Sequence, residues 1–319
     1  MSETEQKLRN EAAALLEQGK VDYIIGYEAG SLKFVTTPLI TKDKNDIDRL
    51  VINPFIANNL SVFLGDINGK AGIVAKGCDS RSIVSLIQDQ QLARENVVII
   101  GVPCSGVIDL NKIEKLTGKD RDEIEDITWA GDKAVVTVDG ARKEFAAKDV
   151  LMDDCLSCDT PAPREYDILL DEVDPLVCDS ELSRSQIKEL EEMPPEQRWE
   201  FWKDEFSRCI RCYACRQVCP VCFCKRCFVE ETEPRWISPL PKWQDNLIFQ
   251  VTRMIHVAGR CTDCGECQRA CPLNIPLRNM SKKMEEIVDE LFQYKAGTDK
   301  DAPPLMAAYE SEEAEDFIR

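Results

Sequence analysis

The chain has 319 residues, with 40 Lys and Arg against 58 Asp and Glu, for a formal net charge of −18. Such an acidic balance argues against a nucleic-acid binder, which needs a basic face. Sixteen cysteines are too many for a reducing compartment unless most bind metal. The polar start Met1-Ser2-Glu3-Thr4-Glu5-Gln6-Lys7 lacks the apolar core of a secretion signal, and no apolar run approaches a membrane span. The expectation is therefore a cytoplasmic protein with thiolates rather than disulfides.

Glu3–Glu17 has helical spacing, with Leu8, Ala12 and Leu15–Leu16 on one face and Gly19 as its stop. Strands are predicted at Val21–Tyr27 and, after the turn Glu28-Ala29-Gly30, at Leu32–Thr37. A short helix at Asn58–Leu64 precedes a buried strand at Ala71–Ala75, a helix at Asp79–Gln90, a second buried strand at Val97–Gly101 and a helix at Asp109–Thr117. Strands and helices alternating at these lengths predict an α/β layer with parallel strands. From Ile127 to Ala147 the pattern changes to short alternating strands, with Asp139-Gly140 as a hairpin turn. Acidic runs at Asp120–Asp126 and Glu310–Asp316 read as solvated surface and tail, or as steering toward a basic partner.

A connecting region follows, with helices at Leu182–Met193 and from Pro194-Pro195 onward. Trp199, Trp202 and Phe206 form a core stripe in the second of these. Lys242–Gly259 is predicted to bury Leu247, Ile248, Val251, Met254 and Ile255. His256, the only histidine, is read as helix-end packing. The predicted class is α+β or α/β in four parts: an α/β domain over residues 1–154, a cysteine-containing helical connector over 155–207, a cysteine-run domain over 208–278, and a helix with an acidic tail over 279–319.

Two cysteine runs dominate the last third. Cys209, Cys212, Cys215 and Cys219 precede Pro220; Cys261, Cys264, Cys267 and Cys271 precede Pro272. Each reads C-x2-C-x2-C-x3-C-P, the spacing of a two-cluster bacterial ferredoxin, in which the fourth thiolate of each run ligates the other cluster. Two [4Fe-4S] clusters with crossed ligation are expected, hence an electron carrier, and anaerobic physiology because exposed clusters are oxygen-labile. Arg208, Arg211, Arg216, Arg226 and Arg260 crowd the first run and the entry to the second, where they would partly neutralise anionic cubanes.

Other cysteines leave more than one reading open. Cys155 and Cys158, with Cys222, Cys224 and Cys227, could hold a third [4Fe-4S] cluster, and Cys178 could replace any one of them. Cys155 and Cys158 with Cys224 and Cys227 also match a zinc ribbon. Unmetallated thiols are the third reading. Two glycine-bearing turns close the α/β strands: Lys76-Gly77-Cys78-Asp79-Ser80-Arg81 and Gly101-Val102-Pro103-Cys104-Ser105-Gly106. A loop leading to a helix N-terminus at a strand's carboxyl end suits an anion, although neither turn matches G-x-G-x-x-G or a P-loop.

These residues carry a resemblance. Lys76–Arg81, Gly101-Val102-Pro103-Cys104, and Cys155-Leu156-Ser157-Cys158-Asp159 with Tyr166-Asp167-Ile168 resemble motifs of the beta subunit of coenzyme F420-reducing hydrogenase, through Leu170. With the dicluster module, the chain resembles the beta subunit of F420-type formate dehydrogenase and bacterial relatives serving heterodisulfide-reductase-like complexes. One departure is that no cysteine precedes Cys78, so an N-terminal cluster segment of the family is missing. The resemblance implies an iron–sulfur flavoprotein with FAD, coenzyme F420 as a substrate, and cofactor contacts from Lys76, Gly77, Cys78, Asp79, Arg81, Gly101, Pro103 and Cys104. It also implies a formate dehydrogenase, hydrogenase or heterodisulfide-reductase-like partner. The competing reading is a flavin-free adaptor that docks and wires partner subunits. No acid–base pair or nucleophile stands out.

Overall fold

A computed structural model describes residues 2–130, 132–172 and 180–305. Cys178 and the acidic run Glu310–Asp316 lie outside the described residues. The chain divides into two compact units. The first comprises Met1–Ser80 and Ala93–Ser183, and the second comprises Arg81–Leu92 and Arg184–Arg319.

In the first unit, helix α1 (Glu3–Glu17) starts at Ser2, whose side chain accepts from the Glu5 amide, and buries Leu8, Ala12 and Leu15 as the spacing predicts. Strands β1 (Tyr23–Ala29) and β2 (Thr36–Thr41) form an antiparallel hairpin. The second strand starts later than expected because Gly30 donates to the Val35 carbonyl, closing residues 30–35 into a loop. Asn58–Leu64, expected as an α-helix, is a tighter 3-10 turn at Leu60–Asp66, with Asn59 capping the Ser61 amide. Strands β3 (Ala71–Ala75) and β4 (Val97–Gly101) lie where predicted. Both read as nearly unbroken apolar runs because they are central and parallel. Helix α2 (Gly77–Gln88) follows β3 and passes from the first unit into the second.

Helix α3 (Leu110–Thr117) is capped by Asp109. Strands β5 (Ile124–Ala130), β6 (Lys133–Val138) and β7 (Ala141–Ala146) build a separate antiparallel sheet. Asp139 and Gly140 both take positive φ at its second hairpin, as a two-residue primed turn requires. Short helices α4 (Ala147–Val150) and α5 (Asp153–Leu156) lead to β8 (Ile168–Leu169). That strand completes the main sheet in the order β2-β1-β3-β4-β8, parallel except for the β2 edge. The predicted α/β class holds, and the Tyr166-Asp167-Ile168 segment serves to return the chain to the sheet.

The second unit is helical: α6 (Ser180–Glu192, its C-terminal part), α7 (Pro195–Arg208), α8 (Ala214–Gln217), α9 (Trp243–His256), α10 (Glu266–Arg269) and α11 (Leu277–Phe292). Two sequence expectations fail here. Trp199 is exposed rather than core; it packs edge-on to Trp243 with ring centroids 6.0 Å apart, and Phe206 alone of the predicted stripe is fully buried. More consequentially, α9 is rotated from its predicted orientation. Ile248, Val251 and Ile255 are 48%, 38% and 51% exposed, while Asn246, Gln250 and Arg253 are 0%, 1% and 3% exposed. Phe249 and Met254 are the apolar residues it buries. Burying a polar stripe is costly without partners, and the partners lie in the cysteine runs.

Candidate metal centre

The two runs fold into the same backbone shape. Between the first three cysteines, Arg211 and Tyr213 take φ of 55° and 62°; the equivalent Asp263 and Gly265 take 52° and 72°. Three of these four are not glycine, so each loop holds left-handed strain that something must compensate. Tyr213 and Gly265 cap α8 and α10, and each carbonyl accepts two amides of its turn. Cys219 then donates to Arg216 and Cys271 to Gln268, while Cys222 donates to Cys219 and Asn274 to Cys271. The repeat legible as letters is a repeat of hydrogen bonds.

Thiols from both runs come together in the second unit. Burial pushes the Cys209 thiol up, and nearby Cys271 and Cys212 push it the same way. Burial raises Cys215 to about 11, with Cys267 and Cys209 adding to the shift. Cys219 is raised by burial and then by Cys267, and Cys261 by burial and then by Glu285, Asp263 and Cys267. Opposing these shifts, the amides of Arg211 and Asp263 donate to Cys209 and Cys261, and Gln250 Nε2 reaches Cys209 Sγ at 4.0 Å and Cys215 Sγ at 3.9 Å. Asn246 Nδ2 fastens the entry by donating to the carbonyls of Phe206 (2.8 Å) and Cys209 (2.7 Å). Amide donors aimed at sulfur and crowded buried thiols fit anionic iron–sulfur clusters, whose sulfurs accept such bonds.

The surroundings of the runs include residues that sequence reasoning missed or placed elsewhere. Arg81, expected in the first glycine turn's cofactor site, lies in the second unit. It donates to the carbonyls of Ala296 (3.0 Å) and Thr262 (3.2 Å) and pairs with Glu285 (3.2 Å), bracing the loop after Cys261. Asp263 is clamped by Arg278 through two 2.7 Å bonds and by Lys282 at 3.2 Å, which hold its carboxyl below the usual range despite burial. Of the arginines expected to neutralise clusters, Arg208 pairs with Glu205, Arg211 with Asp245, Arg216 with Glu230, Arg226 with Glu231 and Arg260 with Asp89. Arg253, which the sequence reading passed over, faces Cys267, Cys219, Cys215 and Cys222 instead. A polar stripe at positions 246, 250 and 253 was the available signal; the stronger apolar periodicity concealed it.

The remaining cysteines fall into two groups. Cys222, Cys224 and Cys227 belong to the second unit, where they line a cavity of about 210 Å³ with Arg216, Arg253 and His256. Burial, then Cys219, raises Cys222 to about 12. His256 also stacks edge-on against Phe228. Cys155 and Cys158 belong to the first unit, in the company of Cys78 and Cys104. Burial raises Cys78 well above its ordinary value, and Asp79, Cys104 and Cys158 push it further. Cys104 is raised by burial against the pull of Lys76. Cys155 Sγ accepts from the Val107 amide at 3.3 Å, and the Cys158 amide donates to the Cys155 carbonyl. A methyl group on Gly77 would stand 1.7 Å from the Thr160 carbonyl oxygen, so only glycine lets this segment press on the start of α2. Among the described residues, no three His, Cys, Asp or Glu side chains close around a single-ion position.

The turns expected to hold a flavin are engaged otherwise. Lys76 is buried, with Nζ 2.8 Å from Asp79 Oδ2 and 2.9 Å from the Asn58 carbonyl, and it also donates to Tyr27. Burial opposes its charge, but Asp79 and Tyr27 prevail and raise it. Asp79 Oδ2 also accepts from the Lys76 amide, capping α2. Gly101 sits against Pro163 and Leu169, where it admits β8, and the Cys104 amide beyond Pro103 donates to Pro161. These groups are committed to partners within the first unit.

The 4Fe-4S dicluster domain family matches residues 205–275. The F420-dependent formate dehydrogenase subunit beta of Methanocaldococcus jannaschii is 27% identical over 91% of this chain and 91% of its own. F420-dependent formate dehydrogenase 1 subunit beta of Methanococcus maripaludis is 26% identical over 92% and 90%. A chain of the xenon-derivatised F420-reducing [NiFe] hydrogenase complex from Methanosarcina barkeri aligns with a TM-score of 0.40 and 13% identity, over 65% of this chain and 90% of that one. No described helix is long and apolar enough to cross a membrane. The chain is similar to F420-dependent formate dehydrogenase beta subunits over most of its length and carries a 4Fe-4S dicluster domain in its C-terminal part.

Proposed function

We propose that this chain is the iron–sulfur electron-transfer subunit of a cytoplasmic, multi-subunit oxidoreductase of the F420-dependent formate dehydrogenase type, relaying electrons to or from a catalytic partner. The carrying observation is the pair of cysteine loops with matching φ angles and hydrogen bonds, with thiols from both runs brought together. The proximity of Cys271 to Cys209, and of Cys267 to Cys219, supports crossed quartets. Cys209, Cys212 and Cys215 take Cys271 on one cubane; Cys261, Cys264 and Cys267 take Cys219 on the other. Each cubane supplies one-electron chemistry. The chain's own residues partly bury the thiolates and donate amides to sulfur.

A third station fits Cys78, Cys104, Cys155 and Cys158 within the first unit. Two of these follow the carboxyl ends of β3 and β4, the edge where α/β sheets gather ligands. Cys222, Cys224 and Cys227 line their cavity in the second unit as thiols. FAD in the α/β unit rests on the motif resemblance alone, and coenzyme F420 as substrate on that resemblance and the relatives' names. The internal engagement of Lys76 and Asp79 favours the second reading, a flavin-free adaptor that wires partner subunits.

The test is anoxic purification of the native complex. Co-purification of a formate dehydrogenase or hydrogenase catalytic subunit, with bleaching of the cluster absorption by formate or hydrogen, supports the electron-transfer reading; an isolated chain whose clusters neither donor reduces would refute it. Acid release of a yellow flavin chromophore decides between the flavoprotein and the adaptor.

A further inference from the structure

We propose that Arg253 is a positioning residue for electrons: its buried guanidinium is the shared countercharge of both cubanes and sets their reduction potentials. The inference rests on the reading that the two quartets hold clusters, and it identifies what tunes them.

Helix α9 buries the wrong face for its composition. A helix with Ile248, Val251 and Ile255 available turns them outward and buries Asn246, Gln250 and Arg253. Removing a guanidinium from water is among the costliest burials a protein makes, and it persists only opposite a compensating charge. Among the described residues, no carboxylate forms an ion pair with Arg253. Its Nε and Nη1 are buried without a hydrogen-bond partner. The groups facing it are Cys267 and Cys219, then Cys215 and Cys222, and Cys222 lines the same cavity. The compensating negative charge is therefore sulfur-borne.

Position makes the effect a shared one. Under crossed ligation, Cys215 belongs to one cubane, and Cys219 and Cys267 to the other, so the guanidinium faces thiolates of both. The remaining arginines near the runs have their charge answered by a carboxylate. Arg253 alone among them carries an unanswered positive charge into the interior. In a medium of low dielectric, a fixed cation beside a cluster favours the reduced, more negative form. Both potentials are raised, and the cubane that Cys267 and Cys219 serve is raised the more, because those two face the guanidinium most strongly. Gln250, which reaches Cys209 and Cys215, acts on the first cubane only.

The experiment compares wild type, Arg253→Gln and Arg253→Lys as full-length, anoxically reconstituted chains. Iron and sulfide content and an EPR-monitored redox titration are measured on each. The expected result is full iron in all three, a shift of both cluster potentials to more negative values in Arg253→Gln, and near wild-type potentials in Arg253→Lys. A fully loaded Arg253→Gln chain titrating like wild type would overturn the proposal. If Arg253→Gln loses iron, retention by Arg253→Lys supports the countercharge, while equal loss in both assigns Arg253 to packing and overturns it. Absence of clusters from the wild type would instead sink the cluster reading itself.

Discussion

The two units are held together by different means. In the first, strands β1, β3 and β4 bury Ile24, Ile25, Ile73, Val74, Ile99 and Ile100, with α1 contributing Leu8, Ala12 and Leu15; ordinary apolar burial organises it. In the second, the core around Phe206, Phe249, Ile275 and Leu277 includes Cys215, with Cys209, Cys267 and Cys271 packed against it. Its central helix points Asn246, Gln250 and Arg253 inward. That interior is organised around what the sulfurs hold, so its folding free energy is largely metal-binding free energy. Periodicity reads the first kind of interior correctly and misreads the second.

The sharpest way to break this contrast is to remove a ligand. Cys215→Ser should lose about four iron atoms per chain and much of the helical circular dichroism of the second unit, while the sheet signal of the first persists. Uniform loss across both units would show one cooperative core rather than two. Next in size, Lys76→Met leaves Asp79 buried without its cation and should destabilise the first unit by about 3–5 kcal/mol, measured by denaturant unfolding with the clusters intact. Phe249→Ala, on the buried side of α9, should cost about 3–5 kcal/mol. Gly77→Ala forces a methyl group against the Thr160 carbonyl and should cost about 1–3 kcal/mol, with loosening around Cys155 and Cys158. Smallest of all, Ile255→Ser should change stability by less than about 0.5 kcal/mol. A large loss at Ile255 would restore the helix face that the sequence predicts.

Much of the architecture was legible because local physics agreed with the fold. β3 and β4 are short apolar runs bounded by turn residues, and Asp139-Gly140 encodes its own hairpin. The eight run cysteines were legible because a cubane imposes a spacing that little else requires. Side chains chosen by distant partners were not legible. Arg81 reads as part of a glycine turn, but its hydrogen bonds go to Thr262 and Ala296, residues 181 and 215 positions away. Likewise, Cys78 and Cys104 come from separate turns, and only the parallel pairing of β3 with β4 brings the ends of those strands side by side.

The central claim, that the duplicated quartets each grip an inorganic cubane, is tested most directly by native mass spectrometry of the anoxic full-length chain. The account predicts mass increments of at least two [4Fe-4S] units, with one lost from a variant in which a single quartet is disabled. A folded chain carrying only zinc, or no metal at all, would contradict it.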